Sequence, residues 1–206
     1  MRVALLSGGK DSLYAAMHYW PPDVGLVLLY KFPEPNPHLE NLGKTVETIT
    51  LTGAPVVVAR LPKGREFEAT VTVLEKLGAK EIVAGDVYIE DHLRYMEKLA
   101  GTVGARLREP LWGLDPGELL YKIVEAGIKA LIIGARGGAR RLIGMELSLA
   151  TVDSLVSEAR RGGWDPLGER EEYHTIVLES PVHAERLRFE VLGRVNIGSV
   201  GYLKLG

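Results

Sequence analysis

Six residues near the start of the chain have the types and spacing to handle phosphate: Ser7-Gly8-Gly9-Lys10-Asp11-Ser12. Gly8 and Gly9 carry no Cβ, so their backbone can approach an anion closely and turn successive N–H groups toward it. Ser7 and Ser12 add hydroxyl donors and Lys10 adds a point charge. The apolar run Val3-Ala4-Leu5-Leu6 precedes the turn as a buried strand, and Leu13, Ala16 and Met17 follow as the apolar stripe of a helix. The free amides at the start of that helix would then point at the same anion. The spacing matches neither G-x-x-x-x-G-K-[ST] nor G-x-G-x-x-G. A serine cap on a glycine turn needs no ligand. What favours a ligand is the position, because open α/β sheets bind at the carboxyl ends of their strands.

The elements that must hold this turn follow from the chain in order. Residues 2 to 6 read as a buried parallel strand and the next helix runs to about Trp20, where Pro21-Pro22 stops it. Gly25 to Tyr30 is a second strand. Lys31-Phe32-Pro33-Glu34-Pro35-Asn36-Pro37 is a proline-rich loop on the edge of the turn, suited to one wall of a pocket. Helix is expected from His38 to Gly53 and from Glu66 to Leu77, strand from Val56 to Arg60 and from Glu81 to Ala84. This alternation predicts a doubly wound, mostly parallel α/β sheet. Gly85-Asp86 then leads into a helix with Leu93, Met96, Leu99 and Ala100 on one face and Arg94 off it. Asp86 reads either as a cap for that helix or as a wall of the pocket beside the glycine turn, with Arg94 offering a planar fork to phosphate or carboxylate.

The texture changes after Arg108-Glu109-Pro110-Leu111-Trp112, and a division near residue 105 gives domains of 1–104 and 105–206. Asp115 and Pro116 open a helix over 117–126. Strand follows at Ala130 to Ile133, an arginine-rich connector at Gly134 to Gly144, and helix at Val152 to Arg161. Strands at Ile176 to Leu178, Leu187 to Leu192 and Val195 to Leu203 complete a smaller α+β unit. Period-2 geometry at the entry to Ile176 places Glu172 and His174 on one face, where they could handle protons, and Tyr173 and Thr175 on the other. A surface ion pair would read the same.

Composition narrows the chemistry. The 206 residues contain no cysteine, which excludes disulfides, thiolate metal sites and a persulfide carrier. A formal net charge of −2 offers no global attraction for nucleic acid, although Arg136, Arg140, Arg141, Arg160 and Arg161 could meet phosphates locally. No apolar stretch reaches the roughly 20 residues of a membrane span, and the first residues read as a strand, so a cytoplasmic protein is expected. Glutamine is absent and asparagine occurs only at Asn36, Asn41 and Asn196, a composition that leans toward heat adaptation.

Ser7 to Ser12 resembles the PP-loop, S-G-G-x-D-S, of the N-type ATP pyrophosphatases, which cleave ATP between its α and β phosphates. Taken with Gly85-Asp86 and Arg94, Glu109-Pro110-Leu111-Trp112, and Gly168-Glu169 followed by Glu172-Tyr173-His174-Thr175, the chain resembles the diphthine–ammonia ligase family. It departs at Glu171, where the family has a second glycine, and at 35–40, where a family S-Y-M-x-H element is absent. The resemblance implies an adenine nucleotide alpha hydrolase-like fold and ATP-dependent amidation of diphthine on elongation factor 2. Ammonium would supply the nitrogen, an acyl-adenylate would form, and AMP and pyrophosphate would leave.

It further implies that Ser7, Gly8, Gly9, Lys10, Asp11, Ser12, Gly85 and Asp86 bind ATP, with Asp11 helping to hold Mg2+. Arg94, Glu109, Trp112, Glu169, Tyr173 and Thr175 would meet the acceptor. Lys10, Asp11, Glu172 and His174 would serve catalysis, Glu172 or His174 by taking a proton from ammonium. The acceptor is a whole protein, so the pocket should open on a broad surface beside the Arg136 to Arg141 connector. Two alternatives stay open at this point: a PP-loop amide-forming enzyme for a small metabolite, and an adenine-nucleotide sensor without turnover.

Overall fold

A computed structural model describes residues 1–30 and 35–206. Residues 31–34 of the proline-rich loop read as a pocket wall lie outside the described residues. The first sheet contains β1 (Arg2–Leu5), β2 (Val24–Leu29), β3 (Val56–Arg60), β4 (Glu81–Val83) and β5 (Arg106–Arg108), all parallel, in the order β3-β2-β1-β4-β5. Helices α1 (Lys10–Met17), α2 (Pro37–Glu40), α3 (Leu42–Thr50), α4 (Glu66–Lys76) and α5 (Glu90–Val103) make the crossovers. This is the α/β arrangement expected from the alternation. The order reverses at β1, which pairs with β2 on one side and β4 on the other, so the carboxyl ends of β1 and β4 frame a crevice.

The period-2 pattern of these strands sorts their side chains onto two cores. Val3, Leu26 and Ile82 face α4 and α5 with Leu74, Met96 and Leu99. Ala4, Val27 and Val83 face the other way and share one core with Ile132, Ile133 and Val177 of the second sheet. Sheet membership changes between β5 and β6 (Lys129–Arg136), after α6 (Pro116–Glu125). The second sheet is antiparallel. Its long strand β6 pairs with β7 (Glu146–Leu147), β8 (Tyr173–Glu179) and β10 (Val200–Leu205), and β10 pairs with β9 (Val191–Ile197). A 3₁₀ turn over Gly137–Leu142 and α7 (Val152–Gly162) lie between β6 and β8. No helix of the described residues is long and apolar enough to cross a membrane.

Local chemistry explains where the elements begin and where they depart from expectation. Asp115 caps α6 as expected, accepting the Glu118 amide at 2.9 Å with Pro116 in the first turn. The single helix expected over 38–53 is two, because buried Asn41 turns its side chain away. It donates to the Pro37 and Leu203 carbonyls, each at 2.8 Å, and accepts the Leu205 amide at 2.8 Å. Strand β5 escapes the pattern because two of its three residues are arginines, of which Arg108 meets Glu81 of β4 at 3.0 Å. Residues 187–190, expected as strand, run irregularly into β9, with Leu187 buried and its amide on the Leu178 carbonyl at 2.7 Å.

Candidate active site

The glycine turn sits between β1 and α1 as the spacing predicts. Gly8 has a left-handed backbone, φ 79°, and Gly9 precedes α1 in extended conformation. The Ser7 and Ser12 hydroxyls stand 3.1 Å apart and line two cavities that open on either side of β1. The smaller, of about 230 Å³, is bounded by Leu5, Leu26 to Tyr30, His38 and Leu42. The larger, of about 500 Å³, lies at the switch between β1 and β4 and is bounded by Asp11, Gly85, Asp86, His92, Glu169 and Glu171. A Cβ on Gly9 would come within 3.2 Å of Ser7 Oγ and 3.3 Å of the Thr175 carbonyl. Gly9→Val is therefore expected to weaken ATP binding at least about tenfold by filling the cradle. Calorimetric titration with ATP checks it, and unchanged affinity would rule the turn out as a phosphate cradle.

The second sheet buttresses the turn from behind. The Val177 amide of β8 donates to the Gly8 carbonyl at 2.9 Å, and the Lys10 amide donates to Thr175 Oγ1 at 3.2 Å. Lys10, expected to bring charge to phosphate, instead turns its buried ammonium onto Asp11 Oδ2 (2.9 Å) and the Leu167 carbonyl (2.7 Å), above the Tyr173 ring. Leu167 belongs to a strap over 165–172 between α7 and β8. Asp165 organises this strap, accepting the Tyr88 hydroxyl at 2.5 Å and the Leu167 amide at 2.8 Å, and the Tyr173 hydroxyl donates to the Pro166 carbonyl at 2.7 Å. Tyr173 and Thr175 thus hold the turn in place.

Carboxyl groups converge on the larger cavity. Asp11 Oδ1 is buried without a hydrogen-bond partner, as is Glu109 Oε1. The Asp86 amide donates to Glu109 Oε2 at 3.2 Å and the Val87 amide to Glu169 Oε1 at 3.3 Å. Burial, then the charge of Asp86, pushes the Glu109 carboxyl up to about 8. Burial, then the charge of Asp11, pushes Glu169 up to about 7. His92, which the sequence reading missed, reaches Asp86 Oδ1 at 3.3 Å from the first turn of α5, and that hydrogen bond raises its pKa. Asp86, His92 and Glu169 each offer one donor atom, all within 4.8 Å of one another. The signal for His92 was a lone histidine in the helix turn following Gly85-Asp86.

Other expected residues lie elsewhere. Asp86 does not cap α5, whose cap is Ile89, and Gly85 backs onto the Asp11 carbonyl, 3.0 Å from where a Cβ would sit. Arg94 is 70% exposed and pairs with Glu90 at 2.7 Å, and half-buried Trp112 lines neither cavity. Glu172 turns its carboxylate to the strap and not to His174. Its two oxygens accept the Asp165 and Arg170 amides of the strap at 3.2 and 3.0 Å. His174 meets the His38 ring edge-on at 5.7 Å, and burial, then the charges of Arg136 and Lys10, lowers it to about 4. Such an imidazole is too weak a base to take a proton from ammonium near neutrality.

Glu171 completes the rim of the larger cavity. Its φ of 65° lies in the left-handed region, which costs a residue with a Cβ about 1 kcal/mol. Its Oε2 accepts from Arg136 Nη2 at 2.7 Å.

Residues 115–205 match the family model of the diphthamide synthase C-terminal domain. Among curated proteins, the diphthine–ammonia ligase of Schizosaccharomyces pombe is 30% identical over 115 residues, which cover 53% of this chain and 19% of that protein. The chain therefore matches only a fifth of that relative's length. A solved structure from Methanocaldococcus jannaschii, described as a predicted subunit of tRNA methyltransferase, is 17% identical with a TM-score of 0.43, covering 88% of this chain and 97% of that one. The family match and the curated relative bear out the resemblance read from the sequence.

Proposed function

We propose, taking the resemblance to the diphthine–ammonia ligase family as premise, that this chain is an ATP-dependent carbon–nitrogen ligase that amidates diphthine on elongation factor 2 in the cytoplasm. Ammonium is the nitrogen donor, and AMP and pyrophosphate are the products. The observation that carries the reading is the glycine turn with a cavity on each side, one apolar and one walled by carboxyl groups. The apolar cavity, bounded by the ends of β1 and β2, suits an adenine ring, and Ser7 and Ser12, shared by both cavities, suit the phosphates between.

The residues also fit a divalent cation. Asp86, His92 and Glu169 bring two carboxyl oxygens and one imidazole nitrogen within 4.8 Å of one another, and the orphaned Asp11 Oδ1 belongs to a residue lining the same cavity; the carboxyl oxygens are donors of the kind Mg2+ takes. When bound, Mg2+ would spread the charge of the departing pyrophosphate. The chain's own part is to fix the turn through β8, to hold Asp11 beside it through Lys10, and to tie the strap to the turn through the same ammonium. The acceptor carboxylate attacks the α-phosphorus and pyrophosphate leaves. Ammonia then attacks the acyl carbon and AMP leaves. The proton released falls to the carboxyl wall, since His174 is held too weak a base.

The test is incubation with diphthine-bearing elongation factor 2, ATP, Mg2+ and ammonium, followed by mass spectrometry of the factor. Exchange of a hydroxyl for an amino group lowers its mass by about one unit, with AMP released in step. Pyrophosphate release with a small carboxylate or a purine instead would make the chain a metabolite enzyme. ATP bound without turnover would make it a sensor.

A further inference from the structure

Glu171 is the one non-glycine position with a left-handed backbone among the described residues. Such strain persists where the surroundings fix it. Here the Glu171 amide donates to the Gly168 carbonyl at 3.0 Å, and the Arg136 amide donates to the Glu172 carbonyl at 2.9 Å. This backbone sets a carboxylate on the rim of the larger cavity, against the Arg136 guanidinium. The two side chains are 55% and 40% exposed, a setting in which an ion pair adds little stability. Stability alone does not account for the pair.

The cavity behind it is lined by four carboxyl groups, with His92, paired to Asp86, as the one basic side chain among its described lining residues. Asp11, Asp86, Glu169 and Glu171 line it, and no lysine or arginine is among its described lining residues. Lys10 has turned its ammonium to Asp11 and Leu167. A carboxylate entering this cavity is repelled by its walls unless a fixed cation receives it at the mouth. Arg136 stands there at the end of β6, held on both sides by Val200 and the Glu172 carbonyl, and its planar fork matches a carboxylate.

We infer that Arg136 is the docking point for the carboxylate of the acceptor, and that Glu171 is a built-in stand-in for that carboxylate which the incoming acceptor displaces. The inference rests on the amide-forming reading of the site and names the group by which the acceptor is first held. Glu171 therefore sets a threshold: an acceptor must compete with a carboxylate already in place.

Glutarate, a small dicarboxylate, serves as the probe, titrated calorimetrically without divalent cations into the wild-type chain, Glu171→Gly, Glu171→Gln and Arg136→Ala. Both Glu171 variants should bind at least fivefold tighter than wild type, and Arg136→Ala at least fivefold weaker. Glu171→Gln keeps the strained backbone and removes only the charge, so agreement between the two variants separates displacement from backbone relaxation. Circular dichroism checks the fold, and Arg136→Lys, which keeps the charge without the fork, replaces Arg136→Ala if that variant does not fold. Equal glutarate affinity in wild type and both Glu171 variants overturns the inference. With diphthine-bearing elongation factor 2, KM should follow the same order. If the wild type amidates no acceptor while the glutarate order holds, the docking point stands and the amide-forming reading falls. If amide forms but the order fails, the docking point alone falls.

Discussion

Replacing Lys10 by methionine will destabilise the protein by about 3–5 kcal/mol, the usual cost of removing one partner from a buried ion pair. Lys10 is 2% exposed, and its ammonium is shared between Asp11 Oδ2 and the Leu167 carbonyl. Methionine fills most of the same space but leaves Asp11 without its cation and Leu167 without its donor. In a chain of this size the loss corresponds to a fall in Tm of roughly 10 °C, measurable by calorimetry at a pH near 6. Because the strap over 165–172 is tied to the turn through this ammonium, limited proteolysis should cut the variant there first. A Tm within a degree or two of wild type would mean that Lys10 is free to serve the phosphates, as the sequence spacing suggests.

The second large effect is a stability profile that is flat in mildly acid solution and falls on both sides. Glu109 and Glu169 have folded-state values of about 8 and 7, above the ordinary carboxyl value of 4.5. The folded chain therefore holds protons there that the unfolded chain has released, and stability is lost as pH rises from 4.5 through 8. His38 and His174 are lowered by burial to about 3 and 4 from 6.5, so the unfolded chain takes up protons that the folded chain refuses, and stability is lost as pH falls below 6.5. Between 4.5 and 6.5 the two slopes oppose each other. Below that window Glu81, held down chiefly by its hydrogen bond to Arg2, adds to the acid loss. The alkaline loss should be on the order of 3 kcal/mol, well under the bare conversion of about 1.4 kcal/mol per pKa unit, since both residues are only partly buried. Urea unfolding at half-unit steps from pH 4 to 9 measures it, with Glu109→Gln flattening the alkaline limb. Stability that climbs from pH 6.5 to 8 would refute the assignment.

The parts of the fold legible in the sequence are those in which neighbours along the chain decide the outcome. The strands before Ser7 and after Pro55, the Asp115-Pro116 helix start and the glycine turn all belong to this class. What the sequence leaves open depends on contacts between distant residues. The break at Asn41 is made by Leu203 and Leu205, and the direction of the Lys10 side chain by Leu167. Glu172 is placed beside His174 by strand periodicity, yet β8 begins only at Tyr173, and the amides of the strap claim the Glu172 carboxylate first. His92 carries no motif of its own. Its role emerges only when α5 is packed so that its first turn meets the end of β4.

The hydrogen bonds from Val177 to Gly8 and from Lys10 to Thr175 bear on how this protein can change over generations. The half that carries the turn and the half that matches the diphthamide synthase model share the hydrogen bonds that shape the cradle, one between backbones and one to the Thr175 hydroxyl. Neither half can be traded for a relative's counterpart without also importing the matching edge of β8. A substitution at Thr175 is inherited as a change in the turn, and lineages of this chain should keep or lose the two together.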